Sequence, residues 1–217
     1  MKRGRRTAGV VLIVVGLLLL AGAAGLLWYH HAQSARAGQT AQAVLAELSE
    51  QIAQNRSDAA LPSVQEAGSV EESGANAAGQ KTASQGQTDA PRTIRIDGVD
   101  YVGVLSFPSL ALELPVMEQW SEEGLRTAPG RYYGAAGSGD LVIAGHNYAS
   151  QFGSLGELKL GDEVYFTDAA GTTFRYTVQD VEILQPDDIE EMIAGEYPLT
   201  VFTCTYGGRT RLTVRCG

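Results

Sequence analysis

The pattern of hydrophobic and polar residues changes character three times along this chain. Residues 9–29 form an apolar run without a charged residue (GVVLIVVGLLLLAGAAGLLWY). A helix of this length, rising 1.5 Å per residue, spans about 31 Å, the thickness of a bilayer's hydrocarbon core. The run therefore predicts a transmembrane helix.

The flanks of this run predict its orientation. Four basic residues lie at positions 2–6, and Trp28 and Tyr29 close the run. Basic residues favour the cytoplasmic side and aromatic residues favour the membrane interface. A cleaved signal peptide ending near Ala35-Arg36-Ala37 is the alternative, but the apolar run is longer than a usual signal core. We expect an uncleaved single-pass anchor in the cell membrane, with a cytoplasmic N-terminus and everything beyond the anchor extracellular.

Two weaker patterns follow the apolar run. Residues 41–52 (AQAVLAELSEQI) carry an apolar stripe at helical spacing, which predicts a short juxtamembrane helix or a weak self-association element. Residues 57–93 contain no aromatic residue and are rich in Ala, Ser, Gly and Gln. Such a composition cannot bury enough surface to offset the entropy of ordering, so it predicts a disordered linker.

From about residue 94 the pattern becomes one of short strands separated by Gly-rich or Asp-rich turns. The predicted strands cover 93–96, 101–106, 110–116, 141–144, 163–167, 173–184 and a C-terminal hairpin, with brief helical segments at 152–158 and 187–194. Short strands at this spacing indicate a mainly β barrel or sandwich. The predicted organisation has five segments: a basic cytoplasmic tail (1–8), a transmembrane helix (9–29), a juxtamembrane segment (30–56), a linker (57–93) and a mainly β domain (94–217).

The net charge of the chain from residue 39 onwards excludes one class of partner. The whole chain carries a formal charge of −9, but five of its basic residues and none of its acidic ones precede position 39. The remainder holds 11 basic against 25 acidic residues, a formal −14. A domain of this charge repels nucleic acid, so we expect no nucleic-acid partner.

The C-terminal hairpin contains the first candidate for chemistry. Its strands meet at Gly207-Gly208, a pair suited to a tight turn, and this register places Cys204 opposite Arg211. Directly opposed residues have Cβ atoms about 4.5–5.5 Å apart, so the cation would stabilise a thiolate. A core cysteine near a solvated arginine is the alternative. Cys216 faces Leu199 in the same register, too far from Cys204 for a disulfide.

A second candidate is His146, the single histidine of the outer domain. It follows the apolar stretch 141–144 in a loop that begins with Gly145, and scaffold strands commonly display catalytic groups where they end. A thiol nucleophile needs such a proton donor for its leaving group. Alone, His146 would equally fit a solitary surface histidine.

Three motifs together resemble the sortases, the membrane-anchored cysteine transpeptidases of Gram-positive bacteria. They are Gly-His-Asn at 145–147, TVFTCTY at 200–206 and RLTV at 211–214; the stretch 101–116 also resembles the family's first strand pair. The resemblance covers about residues 94–217, with Val201 where the family usually has Leu. It implies a sortase-like closed β-barrel with one or two short helices.

The resemblance also implies roles for individual residues. Cys204 would be the nucleophile, His146 the general acid and base, and Arg211 the group that stabilises the substrate carbonyl or the oxyanion. Arg209 is a competitor for that last role, although hairpin register and motif position both favour Arg211. The residues expected to bind substrate are Phe202, Thr203 and Asn147, with the loop 186–198 as a further candidate lining.

By the same resemblance, the substrate would be a secreted protein with a sorting signal similar to Leu-Pro-x-Thr-Gly. It would be cleaved through a thioester and transferred to an amine of a peptidoglycan precursor or a pilin; the sortase subgroup stays open. Two alternatives remain: a secreted Cys/His hydrolase of cell-wall peptides, and a non-catalytic, membrane-tethered peptide-binding β-domain. We expect no cofactor, since the usable thiol and one histidine make no recognisable metal-ligand set. A calcium site at Glu122-Glu123 or Asp187-Asp188 is left open.

Overall fold

The computed structural model describes residues 3–60, 92–194 and 196–217, and within its first helix it describes side chains chiefly from residue 38 to residue 58. This helix, α1, runs from Arg3 to Ala60. Among the described residues, no helix meets the length and apolarity needed to cross a membrane. Residues 57–60, which were predicted as the start of the linker, belong to α1 instead. Most side chains of the predicted span 9–29, and residues 61–91 of the predicted linker, lie outside the description, so the span and the rest of the linker remain predictions.

The rest of the described chain is a closed, mainly β barrel, as the sequence predicts. Its elements are β1 (Ile94–Ile96), β2 (Val99–Phe107), β3 (Leu112–Met117), β4 (Gly130–Tyr133), β5 (Leu141–Gly145), β6 (Glu163–Asp168), β7 (Thr173–Leu184), α2 (Ile189–Ile193), β8 (Leu199–Cys204) and β9 (Arg211–Cys216). Strand order is β1-β2-β3-β4-β5-β8-β9-β7-β6, and β6 returns to pair with β2. Eight strands thus close the barrel, while β1 extends it at β2.

Most predicted strands are confirmed, and one strand was missed. The bounds predicted for β7 coincide with the observed ones, whereas β4 was not predicted. β4 is four residues long and pairs with β3 only at Met117 and Gly130. Such a short segment carries too little alternation to be recognised. The predicted helical segment 152–158 is a 3₁₀ helix, Phe152–Glu157, and the segment 187–194 contains α2.

The barrel interior and the helix α1 have separate hydrophobic clusters. The interior cluster is formed by alternating residues of the strands, with Phe107 and Phe152 in edge-to-face contact at a centroid distance of 6.2 Å. Outside the barrel, Val44, Leu48 and Ile52 of α1 pack in a second cluster with residues of β1–β3. The apolar stripe of residues 41–52 therefore packs against the β-domain of its own chain.

Polar contacts at the C-terminal end of α1 reinforce this packing. The Asn55 side-chain amide donates to the Ala169 carbonyl at 2.8 Å, and the Arg56 guanidinium donates twice to the Gly171 carbonyl, at 3.0 and 2.7 Å. Both carbonyls belong to the turn between β6 and β7. The last two turns of the helix are thus held by directional bonds as well as by apolar contact.

Candidate active site

The ends of three neighbouring strands bring the candidate catalytic residues together. β5 runs parallel to β8 with Gly145 beside Thr203, so the next residues, His146 and Cys204, follow at the same level. β8 pairs with β9 in the antiparallel sense, with Cys204 directly opposite Arg211. Adjacent strands lie about 4.8 Å apart, so the three residues occupy one edge of the barrel.

These residues line a cleft of about 580 Å³. Its walls come from the segment between β3 and β4, the end of β5 with the loop after it, and the β8–β9 hairpin. The lining residues are Trp120, Glu122, Leu125, Arg126, Ala144, Gly145, His146, Tyr148, Phe202, Cys204 and Arg211. All three predicted catalytic side chains and Phe202 therefore share one concave site, the usual form of a small-ligand or peptide site.

The hairpin register is confirmed, although the turn is longer than two glycines. Cys204 and Arg211 form the last ladder pair, and the Thr205 N–H still donates to the Thr210 carbonyl at 3.0 Å. The connection then makes a tight turn in which the Gly208 N–H donates to the Thr205 carbonyl at 2.9 Å, and Gly207 and Gly208 have φ of 78° and 69°. Both glycines thus supply the left-handed conformation that the sequence predicts, within a four-residue connection.

The guanidinium of Arg211 is held by the backbone of this turn. Its Nη1 donates to the carbonyls of Gly208 at 3.1 Å and Thr210 at 3.2 Å. Arg209 is exposed on the turn and is absent from the cleft lining. The structure therefore brings Arg211, and not Arg209, to the cleft beside Cys204.

The start of the His146 loop depends on close packing at Gly145. A Cβ at this position would lie 2.4 Å from the Phe152 ring, so only glycine lets this buried ring pack under the end of β5. The Phe152 N–H then donates to the His146 carbonyl at 3.0 Å. The Tyr148 ring stacks on the imidazole with a centroid distance of 4.7 Å and an interplanar angle of 20°. The imidazole is therefore held by both its backbone and its ring face.

Burial and the charge of Arg126 lower the pKa of His146, and the charge of Glu122 opposes them. Desolvation lowers the pKa of His146, the field of Arg126 lowers it further, and the carboxylate of Glu122 raises it; the net direction is down. Burial disfavours the charged imidazolium, as does a nearby cation. The neutral form, which accepts a proton, is thus favoured over a wider pH range than for an exposed histidine.

Three aromatic rings form a row at the cleft, and the two outer rings, those of Trp120 and Phe202, line it. Trp120 contacts Tyr132 at a centroid distance of 5.4 Å, and Tyr132 meets Phe202 edge-to-face at 5.2 Å. Trp120 is 43% exposed and faces the cleft, whereas Phe202 is 8% exposed. Phe202 was predicted from the sequence, whereas Trp120 was missed because it lies outside any strand pattern and belongs to none of the motifs.

Two of the predicted substrate-binding residues do not line the cleft. Thr203 is 3% exposed and lies on the barrel-facing side of β8, where its Oγ1 donates to the Gly145 carbonyl at 2.8 Å. Alternation along a strand reverses the side on each residue, so Thr203 cannot face the same way as Phe202 and Cys204. Asn147 is half-buried and is absent from the lining. Thr203 therefore bonds the end of β8 to the end of β5, and Asn147 is not part of the cleft wall.

The loop 186–198 also lies outside the cleft lining. Its helix α2 places Met192 in a cluster with Phe202 and Leu184 on the outer face of the sheet. Beneath it, Arg215 is 3% exposed; its Nε donates to Glu182 at 2.7 Å, and its other nitrogens donate to the carbonyls of Glu191 and Met192 at 2.7 and 3.1 Å. The loop is thus fastened behind the cleft through a buried cation.

The second cysteine is separated from the site, as its register predicts. Cys216 pairs with Leu199 and is fully buried, and burial raises its pKa to about 12. Both cysteines are free thiols. Among the described residues, no group of three or more His, Cys, Asp or Glu side chains is placed to hold a metal ion.

Comparisons with known proteins show which family this chain resembles. A family model described as the sortase domain matches residues 105–217. Sortase A from Bacillus anthracis is 31% identical over 115 residues, which cover 50% of this chain and 54% of that protein. Sortase C1 from Streptococcus agalactiae is 31% identical with a TM-score of 0.48, covering 56% of this chain and 69% of that chain. Sortase A from Corynebacterium diphtheriae is 25% identical with a TM-score of 0.47, covering 54% and 60%.

The family model accounts for more than half of the chain, so this chain belongs to the sortase family. The resemblance drawn from the three motifs is thereby confirmed. The chain spans about half the length of the curated relative that it matches.

Proposed function

We propose that this chain is a cysteine transpeptidase that cleaves a sorting signal similar to Leu-Pro-x-Thr-Gly and transfers the released acyl group to an amine. The observation that carries the proposal is the convergence of Cys204, His146 and Arg211 in one cleft. A thiol nucleophile, a proton carrier and a fixed cation are three groups that together can carry out acyl exchange at a peptide bond.

In the first half-reaction, the Cys204 thiolate attacks the carbonyl carbon of the scissile peptide bond. The carbonyl oxygen takes up the electron pair and is stabilised by the Arg211 guanidinium. When the tetrahedral intermediate collapses, the C–N bond breaks, and the protonated His146 donates its proton to the departing amine. A thioester on Cys204 and a free amine are left, with His146 neutral.

In the second half-reaction, an acceptor amine attacks the thioester carbon and transfers a proton to His146. The C–S bond breaks, the thiolate of Cys204 is regenerated, and a new peptide bond is formed. The lowered pKa of His146 keeps more of the imidazole neutral for this step, and it makes the imidazolium of the first half-reaction a stronger acid towards the departing amine. Charge and protons return to their starting state after each cycle.

The aromatic row of Trp120, Tyr132 and Phe202 supports an extended peptide with apolar residues as the ligand. Aromatic rings offer large, rigid apolar contact area to an aliphatic side chain or a proline ring. We propose that the residues preceding the scissile bond lie along this row. The partners are a secreted protein bearing the sorting signal and an amine of a peptidoglycan precursor or a pilin.

We further propose that the chain is held in the cell membrane by residues 9–29, with the barrel on the extracellular side. The apolar run and the basic residues before it support this orientation. An enzyme that attaches proteins to the cell wall needs its cleft on that side of the membrane.

The test is incubation of the full chain with a panel of peptides that vary the Leu-Pro-x-Thr-Gly pattern, with and without a glycine oligomer or diaminopimelate, followed by mass spectrometry. We expect amine-linked product and a thioester adduct of the wild type, loss of both in Cys204→Ala, and retention of both in Cys216→Ala. The second variant controls for the loss of a thiol as such. Hydrolysis without incorporation of any amine would refute transpeptidation, and activity that survives Cys204→Ala would refute the whole assignment.

A further inference from the structure

Gln151 is a polar side chain buried almost completely in the loop that carries His146. It is 1% exposed and is among the largest fully buried side chains of the described chain. Burying an amide costs free energy unless its hydrogen bonds are replaced. Its polar atoms must therefore find partners within the protein.

The partners of Gln151 lie on two different walls of the cleft. Its Oε1 accepts a hydrogen bond from the backbone N–H of His146 at 3.2 Å, and its Nε2 donates to the Leu125 carbonyl at 3.0 Å. Its own backbone N–H donates to the Tyr148 carbonyl at 2.9 Å. One side-chain amide thus joins the loop after β5 to the segment between β3 and β4.

The segment reached through Leu125 is the one that carries the charges acting on His146. Leu125 belongs to the 3₁₀ turn Gly124–Arg126, and Glu122 lies just before it. Both Glu122 and Arg126 line the cleft beside the imidazole. The distance between the imidazole and these two charges therefore depends on how the two segments are connected.

We propose that Gln151 is a positioning residue, which holds the backbone of His146 at a set distance from the Leu125 segment and so orients the imidazole towards Cys204. For its effect on turnover, this inference rests on the proposed transpeptidase function. Gln151 touches no reacting atom in this scheme and acts only through His146.

Two substitutions separate this role from simple filling of the core. Gln151→Leu keeps a similar size but leaves the His146 N–H and the Leu125 carbonyl without their partner. In Gln151→Glu, a protonated carboxyl group reproduces both bonds, because its C=O accepts and its O–H donates. The ionised carboxylate cannot donate and would face the Leu125 carbonyl, so the bridge in this variant should open as pH rises.

The test follows the His146 imidazole by NMR during a pH titration of the full chain, with the signal assigned by its absence in His146→Gln. The control is Val164→Ala, which removes core volume at a fully buried residue of β6 outside the cleft. We expect the His146 shifts and titration to be unchanged in the control and clearly displaced in Gln151→Leu. Gln151→Glu should match the wild type at low pH and Gln151→Leu at high pH.

Turnover provides the second measurement. We expect kcat/KM for the best peptide to fall about 10- to 100-fold in Gln151→Leu, the scale of loss when a catalytic group is displaced by about an ångström. Activity of Gln151→Glu should be close to that of the wild type at low pH and decline as its carboxyl group ionises.

If the His146 titration of Gln151→Leu is the same as that of Val164→Ala, the inference is overturned. The same holds if Gln151→Glu shows the wild-type profile at every pH. If no peptide is turned over by the wild type, the proposed function fails, but the NMR titration still decides the role of Gln151. The two failures are therefore distinguishable.

Discussion

Truncating Leu48 to alanine tests whether the helix α1 is bound to the barrel or only tethered to it. Leu48 has no exposed surface and lies between Val44 and Ile52 in the cluster that joins α1 to β1–β3. Leu→Ala at a fully buried site costs about 2–5 kcal/mol through lost transfer free energy and the cavity left behind. Alanine is at least as good a helix former as leucine, so nearly all of this cost falls on the packing.

The packing free energy lost in Leu48→Ala should appear as more frequent local opening of α1. The barrel interior forms a separate cluster, so its stability should change much less than that of the docked helix. Hydrogen exchange of the full chain, read by mass spectrometry over residues 38–58, measures the opening directly. A cost of about 2 kcal/mol or more corresponds to a rise in exchange of about 30-fold or more.

Leu45→Ala is the matched control, because it makes the same change on the same helix at a partly exposed residue. We expect a clearly smaller rise in exchange for this variant. Equal effects at Leu45 and Leu48 would refute the docking that the structure shows. If the hydrogen-exchange protection of α1 depends on protein concentration, the apolar stripe at 41–52 would instead be a self-association element.

Three further predictions concern charge and thiol chemistry. Arg126→Gln removes a cation that lowers the pKa of His146, so this pKa should rise. In the pH–rate profile, the limb that reports loss of the imidazolium proton should move to higher pH. An unchanged limb, or one at lower pH, would contradict the assigned cause. Iodoacetamide should label the native wild type and Cys216→Ala to the same extent, because a buried thiol with a pKa of about 12 is not a nucleophile at neutral pH; loss of label in the variant would be the contrary result. Glu182→Gln should lower the free energy of unfolding by about 1.5–3 kcal/mol, because it weakens the hydrogen bond between the charged groups of Glu182 and Arg215. Urea titrations measure this change. A change under about 0.5 kcal/mol would show that the bond is dispensable.

The C-terminal hairpin shows what local sequence can predict. Two glycines and a run of Thr and Val residues set the register that places Cys204 opposite Arg211, because the pairing of a hairpin depends on residues close in sequence. The predicted loop length was wrong, because the connection is a longer turn in which the Gly208 N–H donates to the Thr205 carbonyl. Register and loop length are thus separable, and alternation predicts only the first.

The pairing of β5 with β8 could not be obtained in the same way. These strands are parallel and far apart in sequence, so no periodicity relates Gly145 to Thr203. Only the family resemblance placed His146 beside Cys204. Thr203 was misplaced because a motif position alone does not say which side of a strand a residue faces.

The supporting residues of the cleft were missed for a related reason. Trp120, Arg126 and Gln151 lie in connections between strands, where neither alternation nor a motif marks them. The apolar stripe at 41–52 was recognised, but its partner surface is made by β1–β3. A stripe predicts that a face is buried and does not identify what covers it.

Because β5, β8 and β9 each supply one group, the reactive centre exists only once distant parts of the chain have met. Parallel pairing between remote segments forms slowly compared with local turns. Turnover by the proposed transpeptidase, measured at intervals during refolding, would therefore report when the barrel has closed. A nascent or partly unfolded chain would carry the Cys204 sulfur away from His146 and Arg211, so its acyl transfer would begin only after closure.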